Sequence, residues 1–522
     1  SSQPPISPTS PSAFGIRSIE EAVNSLNANE NTQEALRFLH QTPDTSYLGS
    51  LSPTALGVMA LRGSELSKYV PVTKCEVDED DFTFSKMLAK FNLGDEWHSA
   101  VAWLNRFSRS PKCWPRVACP EEDLACPEEY LALNRVACPE EDLACPEEYL
   151  ARRPSQVMRL LQLLRFLFVK TEFPFDPSEI GVEVVPFLYV IFTQFRDNNK
   201  QLSLLALKIL SNVALNTPPY AVSIFTSEWL PLLASMVTRG KSLEERLLSH
   251  KICQNALNTL GVVDYQLRSD IYELFLPDKE PEVDLVLIHG LCGSVAYTWR
   301  QKDHSSNIVS DCWPKDWLHL DIPQPMRILG IDYPSSLWQF TGMMESLQVR
   351  ADRFKSQLEA AGIGRRPIIF ICHSMGGLLA KRLLLDLPAF AKKTVGILFV
   401  ATPHRGSPIA AWGYSILHPT DDVLFLLEEN PLNKKLNEDF SKISDNIPVI
   451  VSMAETKESD LIGTAKGIIV PTQSAVFEKG AVYHIDEVHH NICKPSERTS
   501  PAYGVVLNFL RDSIQEAAKM KK

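Results

Sequence analysis

Residues 367–386 read PIIFICHSMGGLLAKRLLLD. An apolar, β-branched run ends at Cys372 and His373, Ser374 follows, and Met375, Gly376 and Gly377 open a run with apolar residues at helical spacing. A buried strand that turns directly into a helix tolerates only small residues beside the turn. It also holds a serine hydroxyl out at the helix N-terminus, where unpaired N–H groups favour negative charge. The usual pattern for such a turn is G-x-S-x-G, and here Cys372 replaces the first glycine, a departure its small side chain allows. Ser374 is therefore a candidate nucleophile. The His373 side chain should point away from it on this turn, so the general base has to come from elsewhere.

Outward from this stretch, short buried-strand patterns alternate with helical ones. They are VDLVLIH (283–289), RILGID (327–332), a helix through ESLQVRADRFKSQLEAAG (345–362), then VGILFVA (395–401), IPVIVSM (447–453) and GIIVP (467–471). Alternation of this kind predicts a mostly parallel sheet covered on both faces. Upstream the pattern is helical throughout, as in LSLLALKILSNVALN (202–216) and EWLPLLASMV (228–237), and it resembles an armadillo-like repeat. The expected fold is thus an α/β-hydrolase domain preceded by an all-helical armadillo-like region. The expected division is an N-terminal helical or partly disordered region at 1–115, a duplicated insertion at 116–153, the helical region at 154–277 and the hydrolase domain at 278–522.

Acyl transfer by such a serine needs two N–H donors for the oxyanion, one after the nucleophile and one in the loop after an earlier strand. Met375 and Leu291 meet those positions, with His289 and Gly290 shaping the turn and Gly376 supporting the elbow. Chain order in this fold is serine, acid, histidine. Two histidines, His489 and His490, lie in VYHIDEVHHNICKP (482–495), and IPVIVSMAETKESD (447–460) offers Glu455 as the acid, with Glu458, Asp460 and Asp486 as acidic neighbours. His404 ends another strand pattern and is read as support for the active-site loops. The forty residues from Ser407 to Asn446 are long for a connection and contain apolar-faced helical pieces, which suits a lid over a lipid or long-acyl substrate.

IHGLCGSVAYTWRQKD (288–303), DCWPKDWL (311–318), RILGIDYPSSLWQF (327–340), HSMGGLLAK (373–381), ATPHRGSP (401–408) and EVHHNICKP (487–495) together resemble a mitochondrial serine-active-site-containing protein family, related to lipases and to deacylases of lipid anchors. In that family's pattern the catalytic histidine stands three residues before the isoleucine of ICKP, which points to His489. The resemblance implies a serine hydrolase or acyltransferase that remodels phosphatidylglycerol acyl chains at contacts between mitochondria and endoplasmic reticulum, with effects on cardiolipin composition and cholesterol traffic. A membrane surface and a lipid substrate are the expected partners, with a protein partner for the helical region; no cofactor or metal is implied. The rival reading is a catalytically silent hydrolase-like scaffold that binds a protein partner through its helices.

Composition narrows the rest. A net charge of -11 gives no basic footprint for nucleic acid or anionic head groups, so membrane contact is expected to be apolar or local. Eleven scattered cysteines, an odd number, predict that most are free thiols in a reducing compartment. No apolar stretch reaches the roughly 18 residues of a spanning helix, and the Pro-rich opening SSQPPISPTSPS reads as a flexible, processed or trimmed end ahead of which a targeting or anchoring segment could have stood. Residues 116–132 and 135–151 are the identical string RVACPEEDLACPEEYLA, a recent duplication. Its Cys119, Cys126, Cys138 and Cys145 lack the close pairing of zinc sites, and an exposed acidic insertion is the expectation. Deleting residues 135–153 should leave soluble expression and esterase activity near the parent's in an aryl-ester assay; loss of soluble protein would make the insertion structural.

Overall fold

The computed structural model describes residues 15–75, 160–161, 163–302, 310–333, 347–408, 426–428, 430–460 and 466–520. The duplicated insertion and residues 409–425 of the expected lid lie outside them. The chain divides into two compact units, residues 1–110, 167–241 and 252–264 forming one and 111–166, 242–251 and 265–522 the other.

In its described residues the first unit is helical. Ser18 caps Ile19–Asn27, Ser52 caps Pro53–Leu61 and Asn199 caps Lys200–Val213, each side chain accepting an N–H of the first turn. Val184–Phe195 packs on Lys200–Val213, and Trp229–Arg239 on Pro53–Leu61. Trp229 lies fully buried and donates its indole N–H to the Val185 carbonyl at 2.9 Å. These contacts establish a packed helical unit; they do not establish an armadillo repeat. Among the described residues no helix is long and apolar enough to cross a membrane, and six cysteines are free thiols.

The second unit is built on a seven-stranded sheet in the order β1-β3-β2-β4-β5-β6-β9. Its strands are β1 Ile271–Phe275, β2 Val283–Ile288, β3 Met326–Ile331, β4 Ile368–His373, β5 Thr394–Val400, β6 Val449–Glu455 and β9 Ala481–Ile485. β7 Ser459–Asp460 and β8 Lys466–Gly467 make a separate two-stranded ribbon. Among the described strands of the seven-stranded sheet, only β1 is antiparallel to its neighbour. It lies ahead of residue 278, and contact assigns everything from Tyr265 onward to this unit. GIIVP differs from its expected strand: only Gly467 pairs, in the ribbon, because the Val470 N–H is committed to a side chain of the site and Pro471 has none. The last strand of the sheet is β9.

β2, β3, β4 and β5 are buried at every position, as a parallel sheet covered on both faces requires. On one face Val286, Ile288, Phe370, Cys372, Ile397 and Phe399 pack against Phe354, Leu378, Leu436 and Phe440 from helices Leu347–Ala360, Met375–Asp386 and Pro431–Ser444. PLNKKLNEDFSKI, expected as part of a lid, is thus a helix of the main layer. Helix Pro501–Lys519 packs against β5, β6 and β9.

Asp284 in the middle of an apolar strand is explained by register. It pairs with Arg327 of β3, whose Nε donates to its Oδ1 at 2.8 Å, and Arg366 reaches the same oxygen. Glu273 of β1 completes the cluster, with the Tyr265 hydroxyl donating to it at 2.7 Å and burial raising its carboxyl to about 7. Removing one member of such a buried network strands the others' charge. Arg327→Met should lower unfolding free energy by about 3–5 kcal/mol, read from the urea midpoint, and a change within error would mean that the cluster contributes little.

Candidate active site

Every parallel strand of the sheet delivers its carboxyl end to the same edge, where open α/β sheets place their sites. The turn after β4 carries Ser374 at φ 52°. This left-handed backbone costs a non-glycine residue about 1–3 kcal/mol and is held by its surroundings. The Ser374 N–H donates to the Val400 carbonyl of β5 at 2.8 Å. Around it the chain comes too close for side chains. A Cβ on Gly376 would stand 2.5 Å from the carbonyl oxygens of Ile288 and His289, and one on Gly290 would stand 2.6 Å from the Ser374 Cβ. These two glycines let the β2 and β4 turns meet. Cys372 sits one step back, wholly buried in the core.

Three candidate residues are brought into one hydrogen-bond chain. Glu455 ends β6, 1% exposed, and accepts from the Val470 N–H at 3.0 Å through Oε1. Its Oε2 lies 2.5 Å from His489 Nδ1, and His489 Nε2 lies 3.0 Å from Ser374 Oγ. A carboxylate only accepts, so Nδ1 carries the proton and donates to it; Nε2 then accepts from the Ser374 hydroxyl. His490, next in sequence, is exposed.

Leu291 and Met375, the expected donor pair, both lie near Ser374. Met375 is the first residue of its helix, so its N–H lacks an intrahelical acceptor, and Gly290 sits against Ser374 and brings Leu291 beside it. Among the described residues neither N–H has a hydrogen-bond partner. His289 is buried and shapes this turn. The Tyr333 N–H donates to its Nε2 at 3.2 Å, so Nδ1 bears the proton and donates to the Gly290 carbonyl at 2.8 Å. Burial lowers its pKa, in keeping with a neutral ring. Tyr333 also donates its hydroxyl to the His289 carbonyl at 2.7 Å and stacks on the imidazole at 4.2 Å.

His404 is placed apart from this chain. Its Nδ1 shares a 2.6 Å hydrogen bond with Lys381 Nζ, and Lys381 also donates to Asn437. The pair is fully buried among Phe399, Phe440 and Phe477, and burial pushes both groups well below their ordinary pKa values. The His404 and Arg405 backbone N–H groups bond Ser474, so this cluster buttresses the loop after β5. Tyr333 and Lys381 had no role in the sequence reading. Tyr333 lay inside a motif, and Lys381, two helical turns after Ser374 on an apolar face, was a legible oddity.

Glu455→Gln is a sharp probe of this geometry. The amide can donate to Nδ1 and hold the ring in the wrong tautomer, so aryl-ester kcat should fall about 10³–10⁴-fold with little change in melting temperature. A fall below tenfold would point to another acid.

No family model matches the chain. Curated relatives similar to it are Protein SERAC1 of Danio rerio, 31% identical over 350 residues and 62% of this chain, and of Mus musculus, 32% identical over 340 residues and 59% of this chain. The human protein of that name is 30% identical over 335 residues. Among solved structures, the lipase BlEst2 of Bacillus licheniformis is 17% identical with a TM-score of 0.33, covering 45% of this chain and 97% of that one. Phospholipase PlaB of Legionella pneumophila is 15% identical with a TM-score of 0.35, covering 46% and 62%. The aligned segments make up 52% of the Danio rerio protein and 50% of the mouse one, so the chain spans about half the length of the curated relatives it matches. Its homologues are thus proteins named SERAC1, at about 30% identity over about 60% of the chain.

Proposed function

We propose that this chain is a serine-dependent carboxyl-ester hydrolase or acyltransferase acting on lipid esters. The observation that carries the reading is the Ser374–His489–Glu455 hydrogen-bond chain beside two N–H groups without partners. Ser374 Oγ attacks the acyl carbonyl as its proton passes to His489 Nε2, and Glu455 steadies the imidazolium. The Leu291 and Met375 N–H groups take the oxyanion. The tetrahedral adduct collapses, the alcohol leaves with the proton from His489, and an acyl-Ser374 ester remains. Water or a lipid hydroxyl then enters by the reverse route.

The finer reading is phosphatidylglycerol acyl-chain remodelling at a membrane surface, at contacts between mitochondria and endoplasmic reticulum, with the helical unit engaging a protein partner. It rests on the motif resemblance and on similarity to proteins named SERAC1. The scaffold alternative rests on the altered elbow glycine and on the choice among several candidate acids. With Cys372 packed in the core and Ser374 within hydrogen-bond distance of His489, that substitution does not block the site.

The test is acyl release from phosphatidylglycerol liposomes, followed by lipid mass spectrometry. Ser374→Ala and His489→Ala should each lose at least about 1,000-fold in turnover, and the double variant no more than the worse single, because the two act as one unit. His490→Ala should stay within about threefold of the parent. Turnover surviving Ser374→Ala would sink the catalytic reading, and an inactive His490→Ala would move the base by one residue.

A further inference from the structure

The residue before the nucleophile has a second task. His373 ends β4 and pairs with Val400 of β5, so its backbone is fixed in the central sheet. Its ring is turned from Ser374, as the turn dictates, and reaches the loop that carries the base. His373 Nε2 lies 3.0 Å from the main-chain carbonyl oxygen of His489, and the two rings sit 5.0 Å apart, tilted by 42°. A carbonyl only accepts, so the His373 N–H donates. Burial, with the neighbouring His489, holds its pKa well below the ordinary histidine value, so a neutral ring spends its one N–H on this bond.

His489 stands in irregular backbone after β9, where no sheet ladder fixes it. Two consecutive residues, the last of β4 and the first of the turn after it, therefore grip it at two points: Ser374 bonds its imidazole and His373 its carbonyl. We propose that His373 is a positioning residue that sets the His489 ring against Ser374 by anchoring the His489 backbone. This rests on the reading of Ser374 and His489 as nucleophile and base. The effect falls on the chemical step, because a base displaced by about 1 Å from its working geometry costs on the order of 100-fold.

The test compares three variants in the full chain with a short-chain aryl ester and a fluorophosphonate probe. His373→Phe keeps ring volume without a donor. His373→Gln places an amide N–H near the Nε2 position, and His373→Asn places it near Nδ1, too short to reach. His373→Phe and His373→Asn should lower kcat roughly 100-fold with KM within about twofold, while His373→Gln recovers to within about tenfold of the parent. Probe labelling at Ser374 should slow in the same order. Should His373→Phe fail to fold, the Asn and Gln pair makes the same comparison. Equal kcat in parent and Asn variant would overturn the inference, as would an equal loss in Asn and Gln that tracks melting temperature. A folded parent that neither takes the probe nor turns over ester overturns the underlying catalytic reading instead.

Discussion

Ser374 keeps its left-handed backbone because the β2 and β4 turns press together with only hydrogen atoms between them. Gly290 lies against the Ser374 Cβ, and Gly376 against the carbonyls that end β2. That close approach has two products. It brings Gly290 against Ser374, and it places the start of the helix Met375–Asp386 at the carboxyl end of β2. The cost of the strained residue, on the order of 1–3 kcal/mol, is met by a core in which β2, β4 and β5 are buried at every position. In the proposed mechanism, nucleophile and oxyanion donors are thus one structural feature.

Glu455 and His489 come from farther along the chain, and several hydrogen bonds fix the segments around them. Glu455 is held from behind by the Val470 N–H. Downstream of His489, the Trp313 indole N–H donates to the Cys493 carbonyl at 3.0 Å, the Lys302 N–H to the Pro495 carbonyl at 3.2 Å and the Gln301 amide to the Ser496 carbonyl at 2.7 Å. The TWRQ, WPKDWL and NICKP segments, distant in sequence and distinctive in composition, therefore meet in space. These bonds hold the segment after His489 against the segments that follow Gly290.

What could be read from the sequence was whatever is local or fixed by chain order. The elbow was legible because strand, small residues and helix are contiguous; the order serine, acid, histidine pointed to Glu455 and to the pair His489 and His490, and the motif resemblance chose His489. β1 escaped because Glu273 breaks its apolar run, and the carboxyl is accommodated by Arg327, Tyr265 and His250, which the run itself does not announce. GIIVP looked like a strand, but Val470 gives its N–H to Glu455. The helix Pro431–Ser444 has the same amphipathic pattern whether it covers a site or a sheet, and only Leu436 and Phe440 in the core decide between them. That the His373 ring leaves Ser374 follows from the turn; where it goes depends on a loop 116 residues away.

The central claim is that Ser374 forms an acyl-enzyme. Rapid mixing of the protein with a chromogenic aryl ester, with quenched samples taken for intact and peptide mass spectrometry, tests it most directly. The account predicts a burst of alcohol release of about one equivalent per protein and an acyl adduct on the peptide containing Ser374. Steady release with no burst and no adduct, from protein whose sheet is intact by circular dichroism, would contradict it.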